Sequence, residues 1–293
     1  MKNVNKSWQP LQKIFYERMQ QSYRPVRLYN RRNCLLRFAR AAAGAKGEMT
    51  MIRVEGIKKI YCVDKERIVA LGGVSLQVRE GEICCILGSS GSGKSTLLNI
   101  MAGLEKPSRG KILLAGEDVT RFSERRWAQF RQKNIGFVFQ SYNLLPTLSA
   151  LENVALPLVF RGIGKDLRIR EAAKMLRAVG LGSRMAHRPS QMSGGQQQRV
   201  GIARAFVSHP KIVFADEPTG NLDSKTSDEV MRIMVGLARR YHETLVLVTH
   251  DREIAAYGDR LIEIHLGFVR YDSRQASAQK AGPLLPQERK AAT

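Results

Sequence analysis

The sequence predicts an α/β fold with an α-helical subdomain inserted into it. Short, continuous apolar runs alternate with helix-length segments from residue 51 onward. A glycine-rich loop stands between one such run and an apolar helix, and between Gln140 and Pro210 the pattern turns to helical segments. Apolar runs without polar alternation suit strands covered on both faces, as in a mostly parallel sheet packed between helices.

Met51–Ile57 opens the folded region as a strand, followed by strands at Val69–Val78 and Glu82–Leu87 and a helix over Lys94–Gly103. Further strands are expected at Lys111–Leu114, Ile135–Phe139, Ile212–Ala215, Leu245–Thr249 and Leu261–His265. The helical insertion, about residues 141–210, includes Arg168–Val179. There Ile169, Ala172, Ala173, Leu176 and Val179 share one face and Gly180 stops the helix. Thr226-Ser-Asp-Glu229 has capping-box spacing and would start a helix whose apolar face carries Val230, Ile233, Met234, Leu237 and Ala238.

Composition bounds the function. Of 293 residues, 43% are hydrophobic and 25% charged, which excludes wholesale disorder. Lys and Arg outnumber Asp and Glu by 48 to 26, a formal charge of +22 that suits nucleic acid or an anionic membrane surface without choosing between them. Much of that excess lies in residues 1–48, where only Glu17 and Glu48 are acidic. That segment reads as an appended basic arm, an over-extended start or an Arg-rich targeting peptide, and the folded domain is expected over residues 49–271. Residues 272–293, rich in Gln, Ala, Lys and Pro, are expected to be a disordered tail. Cys34, Cys62, Cys84 and Cys85 lack metal-ligand spacing and read as reduced thiols. No apolar stretch approaches the roughly 18–20 residues that span a bilayer, so membrane work would need another chain.

Gly88-Ser89-Ser90-Gly91-Ser92-Gly93-Lys94-Ser95-Thr96 matches GxxxxGK[ST] in the strand-to-helix context that motif requires. Such a loop curls so that backbone N–H groups face phosphate oxygens, and the following helix adds the positive end of its dipole. Lys94 would reach the β- and γ-phosphates and Ser95 would hold Mg²⁺. The required acidic partner is Ile212-Val-Phe-Ala-Asp-Glu217, with Asp216 directed to the metal and Glu217 to the attacking water. The plain alternatives are a Gly/Ser turn and a strand edge; the pairing of the two motifs in one chain favours chemistry.

Met192-Ser-Gly-Gly-Gln-Gln-Gln-Arg-Val200 resembles the signature sequence of the ATP-binding cassette (ABC) family. Ser193 can cap a helix whose first residues, Gly194 and Gly195, expose backbone donors ahead of Gln196. The resemblance covers residues 51 to about 271 and implies a P-loop NTPase core, that is, a RecA-like sheet with an antiparallel β subdomain and an inserted helical subdomain. It further implies Gln140 as the Q-loop glutamine that serves metal and water, Gly220-Asn-Leu-Asp223 as the D-loop, His250 as the switch histidine and Tyr61 as the ring that stacks on adenine. Met192 stands where the family usually has Leu, a near-isosteric change, and His265-Leu-Gly267 lacks the usual acidic residue.

In that family two cassettes sandwich ATP, so the expected partners are a second copy and an integral membrane permease, with the chain peripheral on the cytoplasmic face. Phe139-Gln-Ser-Tyr-Asn-Leu-Leu-Pro-Thr-Leu-Ser-Ala-Leu-Glu-Asn-Val154 and Ala215-Asp-Glu-Pro-Thr-Gly-Asn-Leu-Asp223 are similar to cassettes of lipoprotein-release, macrolide-export and antimicrobial-peptide-export systems. An ATPase regulating cell-wall remodelling through a membrane partner would use the same motifs. A nucleic-acid-linked ABC ATPase would carry a long coiled coil or a second cassette; neither is present, so no nucleic-acid partner is expected.

Overall fold

The computed structural model describes residues 49–63 and 66–274. Among the described residues, ten strands run in chain order as β1 (Thr50–Val63), β2 (Glu66–Arg79), β3 (Ile83–Leu87), β4 (Arg109–Leu114), β5 (Glu117–Asp118), β6 (Ile135–Phe139), β7 (Ile212–Asp216), β8 (Thr244–Thr249), β9 (Arg260–His265) and β10 (Phe268–Asp272). The helices are α1 (Lys94–Met101), α2 (Glu124–Asn134), α3 (Ala150–Phe160), α4 (Lys165–Ala178), α5 (Gly194–Phe206), α6 (Ser224–Tyr241) and α7 (Arg252–Ala255). The basic arm and the tail beyond Arg274 lie outside the described residues.

Two sheets form: an antiparallel one ordered β2-β1-β4-β5, and a six-stranded one ordered β10-β9-β3-β8-β7-β6. In the second sheet β9, β3, β8, β7 and β6 are parallel and only the edge strand β10 is antiparallel. Continuous apolar strands have the reason foreseen for them. Ile83, Cys85 and Leu87 of β3 enter a core shared with α3 to α6, whereas Cys84 and Ile86 enter a second core shared with the antiparallel sheet, α1 and α2. The same alternation divides Val213 and Ala215 from Ile212 and Phe214, and Leu245 and Leu247 from Val246 and Val248. Burying each such Leu, Ile, Val or Phe contributes roughly 1.5–3 kcal/mol, so both faces of the sheet hold it in place.

Several sequence expectations change in detail, among them β1, which runs on to Val63 rather than ending at Ile57, and β2, which opens at Glu66 rather than Val69. The helix expected from Thr226 begins two residues earlier, at Ser224. Asp223 is its N-cap, accepting from the Thr226 N–H at 2.9 Å and the Thr226 hydroxyl at 2.7 Å. A carboxylate at that position accepts two bonds and favours the helix dipole, so it outcompetes the Thr226 hydroxyl as cap. The helix read from Arg168 begins at Lys165, behind the Gly164 N-cap. Lastly, Asp272 belongs to β10 and is buried, joined through two oxygens to Arg260, so order extends past the expected boundary at residue 271. Four elements have no counterpart in the sequence reading: α2, packed through the edge-to-face cluster Phe122, Trp127 and Phe130, the short β5, α7 and β10. Among the described residues, no helix is long and apolar enough to cross a membrane.

The parallel registers align the carboxyl ends of the strands. Leu87 lies beside Thr249, Asp216 beside Val248, and Phe139 beside Asp216. Loops that leave these strands therefore share one edge of the sheet, the usual place for a site in an open α/β fold.

Candidate active site

The loop after β3 turns at Gly93, whose φ of +98° is a conformation that L side chains rarely adopt. A Cβ there would also stand 2.5 Å from the Ala70 carbonyl oxygen. Gly93 is the N-cap of α1, and no side chain caps that helix. Its first N–H groups are left for an anion in the loop. Lys94 is buried and its Nζ donates to the Ser89 carbonyl at 2.8 Å, folding the ammonium back over residues 89–93. Burial lowers the Lys94 pKa, against the charges of Glu217 and Asp216, which raise it. Ser92 Oγ is buried without a hydrogen-bond partner among the described residues.

Across the sheet edge, Ser95 Oγ donates to Asp216 Oδ1 at 3.1 Å. The Asp216 carboxyl is pushed up to about 6, chiefly by burial and further by the charge of Glu217, while the Ser95 hydrogen bond and Lys94 oppose the rise. Glu217, the next residue, has φ +44° and is fixed by its N–H donating to the Val248 carbonyl at 2.9 Å. Its Oε2 meets His250 Nδ1 at 2.8 Å. His250 follows Thr249, the last residue of β8, so strand register sets this approach.

Gln140 leaves β6 and joins Asn221 twice: its carbonyl accepts from Asn221 Nδ2 at 3.1 Å, and its Nε2 lies 3.5 Å from Asn221 Oδ1. The two residues that follow Ser141, Tyr142 and Asn143, have φ of +58° and +49°. Their carbonyls are held by the buried guanidinium of Arg204 on α5. Gln198, also buried on α5, donates to the Pro218 carbonyl just beyond Glu217. These links through Asn221, Gln198 and Arg204 were not anticipated. Only the placing of Gln and Arg on the apolar side of a helix could have signalled the last two.

Tyr61, on β1, reaches the same loop from the antiparallel sheet. Its hydroxyl donates to Glu105 Oε2 at 2.8 Å and accepts from the Thr96 hydroxyl on α1. Burial first, then Glu105, push the phenol up to about 12.

Ser193 caps α5 in a capping box with Gln196: the Gln196 N–H donates to Ser193 Oγ at 3.3 Å, and the Ser193 N–H to Gln196 Oε1 at 3.1 Å. Gly194 lies under the Tyr142 hydroxyl, and Gly195 packs so closely on Thr226 that a Cβ would overlap its Cγ2. The structure thus gathers Tyr61, Lys94, Ser95, Thr96, Asp216, Glu217 and His250 around residues 88–96. Ser193–Gln196 are packed instead against the Q-loop and the start of α6, and no hydrogen bond among the described residues joins them to that loop.

The glycine loop opening α1, with a serine-bonded aspartate at the end of a parallel strand next but one to β3, defines a P-loop nucleotide hydrolase. The family model described as ABC transporter matches residues 71–220. A protein of Thermotoga maritima described as an uncharacterized ABC transporter ATP-binding protein is 52% identical over 214 residues, 72% of this chain and 90% of that one. The ABC transporter ATP-binding protein YtrE of Bacillus subtilis is 46% identical over 224 residues, 75% and 97% of the two chains. The macrolide export ATP-binding/permease protein MacB of Chlorobaculum tepidum is 45% identical over 237 residues, which span 81% of this chain but 36% of that protein. Among solved structures, the ATP-binding cassette MJ0796, a dimer in a post-hydrolysis state bound to ADP and Pi, superposes with a TM-score of 0.71 at 41% identity. That match covers 76% of this chain and 97% of the other. The chain belongs to the ABC transporter family, as an ATP-binding cassette with ATPase activity.

Proposed function

We propose that two copies of this chain bind two Mg-ATP between them and use hydrolysis to drive an integral membrane permease from its cytoplasmic face. The observation that carries the reading is that no hydrogen bond among the described residues joins the segment that opens α1 to the one that opens α5. Residues 88–96 open α1 and pack beside Asp216 and Ala70, whereas Ser193–Gln196 open α5 and pack on Tyr142 and Thr226. A transferring phosphoryl group stabilised by both needs the second from another copy. MJ0796, in its ADP and Pi state, is dimeric, which supports this arrangement.

Within each site the backbone donors of Gly88, Ser89, Ser90, Gly91, Ser92 and Gly93 would line the phosphate chain, with Lys94 Nζ and the Thr96 N–H completing the cradle. The unpartnered Ser92 Oγ and the uncapped α1 suit an anionic oxygen there. Ser95, Asp216 and Gln140 are a set of hard oxygen donors suited to Mg²⁺ and would hold it. Once bound, that ion supplies charge neutralisation of the phosphates. Glu217 would accept the water proton at its carboxylate, His250 would hold that carboxylate and then contact the γ-phosphate, and Tyr61 would stack on adenine. The Ser193 hydroxyl, the Gly194 and Gly195 N–H groups and Gln196 of the second copy would close the far side.

Glu217→Gln tests the reading. With Mg-ATP this variant should accumulate as a dimer by light scattering, with turnover reduced by about 10²–10⁴-fold, the usual worth of a positioned base. A monomer under saturating Mg-ATP, or rapid turnover, overturns it. The permease is sought by affinity purification of the tagged chain from detergent-solubilised native membranes, where an integral membrane protein in stoichiometric yield is expected. MacB, an ATP-binding/permease protein of which this chain spans about a third, supports that partner class.

A further inference from the structure

Tyr61 is held by more groups than a stacking surface needs. Its hydroxyl bridges Glu105, on the loop between α1 and β4, and Thr96, in the first turn of α1. The other carboxylate oxygen of Glu105 pairs with Lys59 Nζ at 2.8 Å, and that ammonium also donates to the Lys106 carbonyl at 2.9 Å. Lys59 and Tyr61 are two residues apart on β1 and share a face of the strand, which brings the ammonium 5.0 Å from the centre of the Tyr61 ring. The Lys59 and Glu105 side chains are only 15% and 26% exposed, so the pair is built into the surface rather than solvated.

We propose that Glu105, supported by Lys59, is a positioning residue for recognition of the nucleotide base: it clamps the Tyr61 ring at the orientation a stacked purine requires. This rests on the adenine-stacking role proposed for Tyr61. With Lys59 over one face of the ring, the base has the opposite face. A ring fixed at its hydroxyl enters the complex without losing rotamer freedom on binding, which is the general gain from preorganisation. Stacking rewards ring area rather than edge chemistry, so the clamp selects purine over pyrimidine nucleotides and tolerates either purine. It also explains why the position carries Tyr: Phe offers the same face, but no group for Glu105 and Thr96 to hold.

Steady-state ATPase kinetics of the full chain with ATP and with CTP test the clamp in Tyr61→Phe, Glu105→Ala and the double variant. Each single change should raise KM for ATP about 3- to 10-fold, the range one hydrogen bond accounts for. It should also narrow the preference for ATP over CTP, with kcat much less affected. Because both changes break the same contact, the double variant should be no worse than the poorer single one. Glu105→Gln keeps the volume and an acceptor oxygen, and should lie between wild type and Glu105→Ala with an unchanged melting temperature. An unchanged KM in Glu105→Ala, or losses that multiply in the double variant, overturns the clamp. A Tyr61→Ala variant with wild-type KM and base preference would instead overturn the stacking role itself.

Discussion

Glu217 Oε2 and His250 Nδ1 meet at 2.8 Å across the carboxyl ends of two adjacent parallel strands, β7 and β8. Glu217 adopts a left-handed φ of +44° to reach this position, a conformation that costs a non-glycine residue about 1–3 kcal/mol. The bond from its N–H to Val248 and the contact with His250 offset that strain and aim the carboxylate.

His250→Ala therefore removes both the partner that aims Glu217 and the group proposed to contact the γ-phosphate. Turnover should fall by about 10²–10³-fold, as when one transition-state donor is lost. KM for ATP should change little, since Lys94 and the loop donors remain. A turnover within a factor of about three of wild type would remove His250 from the mechanism.

Ser95→Ala deletes the hydroxyl that donates to Asp216 at 3.1 Å. The Mg²⁺ concentration giving half-maximal ATPase activity should rise by about 10- to 100-fold, the usual effect of disturbing a metal-site group. Titration of Mg²⁺ at fixed ATP measures the shift, and an unchanged midpoint would remove Ser95 from the proposed Mg²⁺ site.

Gly195→Ala places a methyl group onto Thr226 Cγ2. Overpacking of this kind costs about 1–3 kcal/mol, read as a lower melting temperature. Thr226→Ser removes the colliding methyl, so the double variant should recover most of the loss, and failure to recover would place the strain elsewhere.

Arg260 and Asp272 form a buried two-point ion pair, Nε to Oδ1 at 2.8 Å and Nη2 to Oδ2, and Arg260 also donates to the Gln77 carbonyl of β2. Burial acts to raise the Asp272 pKa, but the Arg260 hydrogen bond and charge outweigh it and hold the carboxyl below its ordinary value of 3.8. A carboxyl depressed in the folded state contributes stability above pH 3.8 that is lost as pH falls through the folded value. Asp272→Asn should cost about 3–5 kcal/mol at pH 7 by leaving the guanidinium buried without its counter-charge. Its melting temperature should also fall less than that of wild type between pH 4 and the acid limit. Parallel curves over that interval would show that the pair is not what titrates.

Much of the fold was legible because both-face burial leaves a direct mark: the runs Ile83–Leu87, Ile212–Ala215 and Leu245–Thr249 carry no polar residue except the terminal Thr249. The phosphate loop was legible because few sequences satisfy a glycine turn and an immediate Lys-Ser at a strand-to-helix junction. The cap at Asp223 is not legible in the sequence because Thr226 has the right spacing too, and only the folded geometry decides which oxygen accepts. Asp272 looked like tail because its counter-charge, Arg260, is twelve residues away and on another strand.

By itself the sequence determined the types of chemical group and their order along the chain, since periodicity and motif spacing are local properties. Tertiary structure decided which of those groups meet. Strand register brought Ser95 to Asp216 and Glu217 to His250, and helix packing set Gly194 and Gly195 against Tyr142 and Thr226. Arg204 and Gln198 acquired their partners in the same way, from buried faces of α5 set against loops distant in sequence. Buried polar groups must find hydrogen bonds, and the identity of those partners depends on the approach of whole elements rather than on neighbouring residues.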